Sequence, residues 1–322
     1  MKKHQRWHTS TRTDERNIIQ FWHPALLPIL TILLLIFSSC AEKDPVYSGS
    51  LKHEILRALN GKILYRNSAD HIILKEFHGR SRTIGISTVS GAKWSPDGTR
   101  FSFVETMNNI PYLSIFDRKG DKINSWELSG IPQSELKGLT WSPDGKYNAL
   151  LKSGHQVVCV EVETGTSSIF SLDPGKTYTS LAWCPSNHKI AVSEGRSIWL
   201  VDAFVNQPPS TLLVSDEEPD TIMAMDWNSD GSLLAFSGGL ADSKVKVVDV
   251  QGENCTTLQD QEEGTSMPIL GVAPCWYSDG EQIMFVHLNH GKVYWNIGLY
   301  LTDLKKEYEV DLNIPGYDPD CS

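Results

Sequence analysis

Beyond residue 60 the apolar residues fall in short stretches separated by Gly, Pro, Asp, Asn and Ser, the spacing of strands joined by turns. Five stretches share a form in which a polar residue leads into an apolar core: 100–104 (RFSFV), 146–151 (KYNALL), 189–192 (KIAV), 232–236 (SLLAF) and 282–286 (QIMFV). A second set follows, each member ending in an acid: 113–117 (LSIFD), 157–161 (VVCVE), 198–202 (IWLVD), 245–249 (VKVVD) and 299–303 (LYLTD). A weaker strand comes after these, as in 122–126 (KINSW) and 210–214 (STLLV).

Each set is introduced by the same turn. Its copies are WSPDG (Trp94, Asp97, Gly98), WSPDG (Trp141, Asp144, Gly145), WCPSN beginning at Trp183, WNSDG (Trp227, Asp230, Gly231) and WYSDG (Trp276, Asp279, Gly280). Asp-Gly supplies positive φ for a tight two-residue hairpin turn, and Pro presets φ ahead of it. The tryptophans are 47, 42, 44 and 49 residues apart. A period in the forties filled by four short strands predicts the blades of an all-β propeller. An aspartate recurring at one turn position in four blades serves the fold rather than catalysis.

A sixth copy lies upstream without a tryptophan, where 54–59 precede an Asn60-Gly61 turn and strands are predicted at 62–65, 71–74 and 82–86. Terminal repeats are commonly atypical. Six four-stranded antiparallel blades then occupy 51–314, leaving 315–322 as a C-terminal tail and no room for a second domain. Closure of the ring is expected from 46–51 pairing with the outer edge of the last blade, because an open ring exposes a strand edge.

The WSPDG copies, the basic-apolar strand and the apolar-Asp strand together resemble the TolB-type propeller repeats of bacterial periplasmic proteins, which also occur in propellers attached to prolyl-oligopeptidase-like enzymes. The resemblance covers nearly the whole chain after residue 50 and implies a WD-like, TolB-like six-bladed propeller. It differs from TolB itself in lacking an α/β domain ahead of the blades. The peptidoglycan-associated lipoprotein, a partner in that family, is implied only weakly.

The first forty residues have another character. A basic stretch (Lys2, Lys3, Arg6, Arg12, Arg16) precedes an apolar run at 25–37, too short to span a bilayer and of signal-peptide length, followed by Ser38, Ser39 and Cys40. This resembles a bacterial lipoprotein signal, except that Phe37 stands where Leu is usual. It implies a signal peptide at 1–39, lipidation of Cys40 and a polar tether over 40–50. Ala41 in place of Asp implies the outer membrane, facing the periplasm. Without residues 1–39 the chain carries 24 Lys and Arg against 37 Asp and Glu, a net charge of −13 that argues against nucleic acid.

The search for catalytic chemistry is mostly negative. No Gly-x-Ser-x-Gly nucleophile elbow occurs. His287 and His290 have a metal-like spacing without a third ligand nearby in sequence, so no metal or cofactor is expected. Asp216, Glu217 and Glu218 read as a solvated loop, and Trp126, Trp199 and Trp295 as packing or ligand surface. Cys159, Cys184, Cys255, Cys275 and Cys321 are odd in number, with no pairing deducible. These features favour a non-catalytic scaffold that binds an envelope protein or peptide. The alternative is a lactonase- or lyase-like propeller enzyme whose carboxylate or metal site is assembled in the central channel from several blades.

Overall fold

A computed structural model describes residues 54, 57–59, 61–87, 89–206, 211–215, 221–238, 245–258, 273–277, 279–290, 295–305, 309–312, 314 and 317–321. Among them, backbone alone is described at 215, 287–290, 295–303, 309–311 and 317–318. The proposed signal peptide, Cys40, the tether and the acidic run at 216–218 lie outside the described residues.

The described strands form six four-stranded antiparallel sheets. Blade one contains β1 (Lys62–Arg66), β2 (His71–Glu76) and β3 (Ser81–Ile86). Blade two is β4 (Lys93–Trp94), β5 (Arg100–Met107), β6 (Ile110–Asp117) and β7 (Lys122–Glu127). Blade three is β8 (Leu136–Trp141), β9 (Tyr147–Lys152), β10 (Gln156–Glu161) and β11 (Ser167–Ser171). Blade four is β12 (Ser180–Trp183), β13 (Lys189–Glu194), β14 (Ser197–Asp202) and β15 (Thr211–Ser215). Blade five is β16 (Ile222–Trp227), β17 (Leu233–Gly238), β18 (Lys246–Asp249) and β19 (Cys255–Thr257). Blade six is β20 (Cys275–Trp276), β21 (Gln282–His290), β22 (Trp295–Asp303) and β23 (Glu309–Asp311). The fourth strand of blade one is the last of the chain, β24 (Tyr317–Cys321), paired antiparallel with β1.

That closure corrects one expectation. Within the expected tail at 315–322, residues 317–321 form β24, the innermost strand of blade one, with Ile63 opposite Cys321 and Leu64 opposite Asp320. The described residues before Gly61 do not supply that strand: Glu54, Arg57 and Ala58 are helical, and Leu59 is buried beside Ile63, Leu312 and Ile314, while the expected pairing of 46–51 lies outside the described residues. The edge of β1 is filled by a strand from the far end of the chain, which satisfies its backbone groups.

The turns also differ from a two-residue hairpin. In WSPDG, Ser95 N–H donates to Arg100 O and Gly98 N–H to Ser95 O, so four residues, 96–99, make the loop. Only the glycine has positive φ, +63° at Gly98 and +72° at Gly231. Proline fixes φ near −65°, which excludes the mirror-image turn that needs two positive φ angles.

The second and third strands are buried on both faces, which is why they read as nearly continuous apolar runs. Between blades one and two, Leu64, Ile72 and Leu74 meet Trp94, Phe101, Phe103 and Phe116. Between four and five, Ala191, Ile198 and Leu200 meet Met225, Trp227, Leu234 and Phe236. Met284 and Val286 of blade six pack on Ile63, Tyr65 and Ile73 of blade one. The core is therefore divided among the blade interfaces, and each blade depends on its neighbours.

Candidate functional site: the central channel

The motif tryptophans end the innermost strands of five blades, and each is 5–7% exposed. Three of their indoles tie neighbouring blades together, while Trp94 Nε1 and Trp183 Nε1 are buried without a partner among the described residues. Trp141 Nε1 donates to Lys93 O (2.9 Å), Trp227 Nε1 to Ala182 O (3.2 Å) and Trp276 Nε1 to Asp226 O (3.0 Å). Each acceptor belongs to the residue just before the tryptophan of the preceding blade. In blade one, Cys321 occupies the tryptophan position and Asp320 the position before it.

The turn aspartates hold their own loops. Asp97 Oδ1 accepts from Ser95 Oγ and Thr99 N, Asp144 Oδ1 from Ser142 Oγ and Lys146 N, Asp230 Oδ1 from Ser232 N, and Asp279 Oδ1 from Glu281 N. Burial is the largest single effect on the Asp97 and Asp144 carboxyls and raises them, but their hydrogen bonds together with Arg100 and Lys146 nearby hold both below the ordinary carboxylate value. Asp230 is lowered by its bonds from Ser232. In the WCPSN copy, Asn187 Oδ1 takes the N–H of Lys189.

The residues before each tryptophan converge on the ring axis: Lys93, Thr140, Ala182, Asp226, Cys275 and Asp320. Lys93 Nζ lies 2.8 Å from Asp320 Oδ1 and 4.0 Å from Asp226 Oδ1. Lys93 belongs to blade two and Asp226 to blade five, so the ammonium reaches across the channel. The remaining carboxylate oxygens accept backbone N–H groups, Trp94 N on Asp320 Oδ2 (2.6 Å) and Trp276 N on Asp226 Oδ2 (2.8 Å).

These three side chains are only 10–26% exposed, so their charges interact through a poorly screened medium. Burial pushes the Asp226 carboxyl up to about 6; Lys93 opposes this, and the negative charge of Asp320 adds to it. Burial also raises Asp320 against the pull of Lys93. For Lys93, burial favours the neutral amine, and the two carboxylates more than reverse that, keeping it an ammonium.

A cavity of about 420 Å³ opens above this cluster on the face of the WSPDG turns. Its walls carry all five motif tryptophans, Pro96, Pro143 and Pro185 from the turns, and Arg118, Asn228, Ser229 and Tyr277. Below lies a second space of about 100 Å³, bounded by Gly138, Met223, Pro274 and Pro319 among others. Lys93, Leu139, Leu181 and Met225 border both spaces and form the waist between them. The mouth is a mixed apolar and polar cup over an ion-paired floor.

Residues 210–249 match the family model described as WD domain, G-beta repeat. They run from the outer strand β15 of blade four through β18 of blade five. Among solved structures, the chain is similar to the crystal structure of TolB from Acinetobacter baumannii, with a TM-score of 0.63 and 17% identity, over 81% of this chain and 67% of that one. No curated protein matches the sequence.

The fold is a TolB-like β-propeller.

Within this propeller the motif aspartates sit at the turns and the motif tryptophans at the blade interfaces. The charged floor carries no sequence motif; its one local signal is its place immediately before the tryptophan position. His287 and His290 both lie in β21, paired with Gly298 and Trp295. Among the described residues no group of three His, Cys, Asp or Glu side chains is placed to hold a metal. Trp126 donates Nε1–H to Val162 O between blades two and three, and Trp199 lies under Lys176 Nζ, 4.4 Å from the ring centre. Only the backbone of Trp295 is described.

Proposed function

We propose that this chain is an exported, lipid-anchored binding scaffold whose channel mouth holds a peptide segment of another envelope protein. The observation that carries the reading is the cup itself, walled by indole and proline rings and floored by Lys93, Asp226 and Asp320. Apolar walls with a few placed polar groups are the usual composition of a ligand site. The turn aspartates are consumed by their own loops, and the floor groups are paired with one another, so the cup offers shape and fixed charge. The periplasmic face of the outer membrane, with Cys40 as the lipid-bearing residue, suits such a scaffold and rests on the lipoprotein resemblance of the N-terminal sequence.

Cross-linking in intact envelopes, followed by capture of the full chain, tests the reading when Ser229→Arg, which fills the mouth, is run beside the unsubstituted protein. A partner lost with Ser229→Arg, while circular dichroism of that variant is unchanged, supports the proposal. A partner retained by Ser229→Arg, or no reproducible partner, overturns it.

A second reading has one observation in its favour. The Asp226 carboxyl, held near 6 in a cleft, has the protonation range of a general acid or base, as in a lactonase- or lyase-like enzyme. Turnover of a lactone panel that is abolished by Asp226→Asn would establish that reading in place of a pure scaffold.

A further inference from the structure

At three blade junctions the side chain before the tryptophan position accepts the backbone N–H of the next blade's motif residue. The pairs are Asp320 with Trp94, Thr140 with Trp183 (3.0 Å) and Asp226 with Trp276. At the junction of blade six with blade one the corresponding residues are Cys275 and Cys321, and there the two sulfur atoms lie 2.9 Å apart. Cys275 is fully buried and Cys321 partly exposed. The other described cysteines stand elsewhere: Cys159 and Cys184 are buried in blades three and four, and Cys255 is exposed on β19.

We propose that Cys275 and Cys321 are joined by an intramolecular disulfide that fastens the closing strand β24 to the inner strand of blade six.

The chemistry is thiol–disulfide exchange with an oxidised dithiol protein or a small disulfide as oxidant. Cys321, the accessible partner, attacks as its thiolate on one sulfur of the donor. A mixed disulfide forms and one donor thiolate leaves. Cys275 then gives up its proton to water, and its thiolate attacks Cys321 Sγ and expels the second donor sulfur. The chain loses two hydrogens and two electrons, and the donor disulfide becomes two thiols. Burial holds the Cys275 thiol well above its ordinary value, which makes it the resolving sulfur rather than the first attacker.

The position of the link explains its use. β24 is the strand that completes blade one, and its detachment would reopen the edge of β1. Hydrogen bonds to β1 and the contacts of Asp320 hold it, and a covalent bond across a sequence separation of 46 residues restricts its escape in the unfolded chain as well. The proposal is independent of what the mouth binds.

The test uses the full chain, reduced, desalted and exposed to oxidised glutathione, then alkylated in denaturant and digested for mass spectrometry. The expected product is a peptide pair cross-linked through Cys275 and Cys321, two hydrogens lighter than the separate peptides. The oxidised chain should melt roughly 5–10 °C above the same chain in dithiothreitol. That gain should vanish in Cys321→Ser. The comparison of oxidised with reduced chain needs no variant, so a poorly folding substitution does not compromise it. Both cysteines alkylating as free thiols, glutathione retained on Cys321 beside an alkylated Cys275, or a cross-link with no change in melting would each overturn the proposal.

Discussion

The indole hydrogen bonds between blades can be weighed by comparing Trp141→Phe with Trp94→Phe. The two side chains are closely matched: 5% and 7% exposed, each at the end of an innermost strand, each under an arginine, Arg100 Cζ at 5.7 Å and Arg118 Cζ at 5.5 Å from the ring centre. Replacement by Phe keeps an aromatic ring in both places and removes a similar amount of apolar contact, so that cost, about 1–2 kcal/mol, is common to the pair. The indole N–H differs. In Trp141 it donates to Lys93 O at 2.9 Å, whereas in Trp94 it is buried with no partner among the described residues. Trp141→Phe removes one hydrogen bond, at about 1 kcal/mol, from a carbonyl that still faces Ser102 in the ladder, while Trp94→Phe deletes a donor that already lacks an acceptor. Trp141→Phe should therefore be the more destabilising by about 1 kcal/mol. In thermal melts that is a difference of roughly 2–4 °C for a domain of this size. Urea unfolding followed by far-ultraviolet circular dichroism, with unchanged slopes, measures it without relying on tryptophan emission. If Trp94→Phe proves equally or more destabilising, the indole bonds are not what fastens the blades.

The remaining expectations concern the channel floor and the anchor. Because the folded-state value of Asp226 is raised from 3.8 to about 6, the folded chain binds its proton more tightly than the unfolded chain does, and stability is lost as pH rises through that window. Moving from pH 7 to pH 4.5 should return about 2 kcal/mol through this group, and Asp226→Asn, which keeps an acceptor for Trp276 N–H, should flatten the slope. Urea midpoints at the two pH values check this, and equal slopes in both proteins would refute it. For the anchor, Cys40→Ala should move the protein from the membrane to the soluble fraction on detergent-free fractionation. Unchanged partitioning would sink lipidation at that residue.

The strands were legible because propeller blades are locally coded. Each central strand is buried on both faces, so stretches such as RFSFV and SLLAF stand out, and the turns carry Pro in three copies and a positive-φ glycine in four. The period of the tryptophans follows from a shared duty, since an indole in each of five blades sits at the same interface. Neither the closing strand nor the floor is coded in that way. The sequence YDPDC at 317–321 contains no apolar alternation and carries a proline; it becomes a strand because β1 offers an unpaired edge once the ring has come round. Lys93, Asp226 and Asp320 differ from one another and from Thr140, Ala182 and Cys275 at the same register, so no repeat marks them. Lys93 and Asp320 are 227 residues apart and meet only at the axis. The sequence by itself determined the blade, the number of blades and where the turns fall, because those depend on neighbours in the chain, although the turns are four-residue loops rather than the two-residue hairpins expected. Ring closure, the charged channel and the meeting of Cys275 with Cys321 were decided by the tertiary structure, since each depends on a distance across the ring that no local pattern contains.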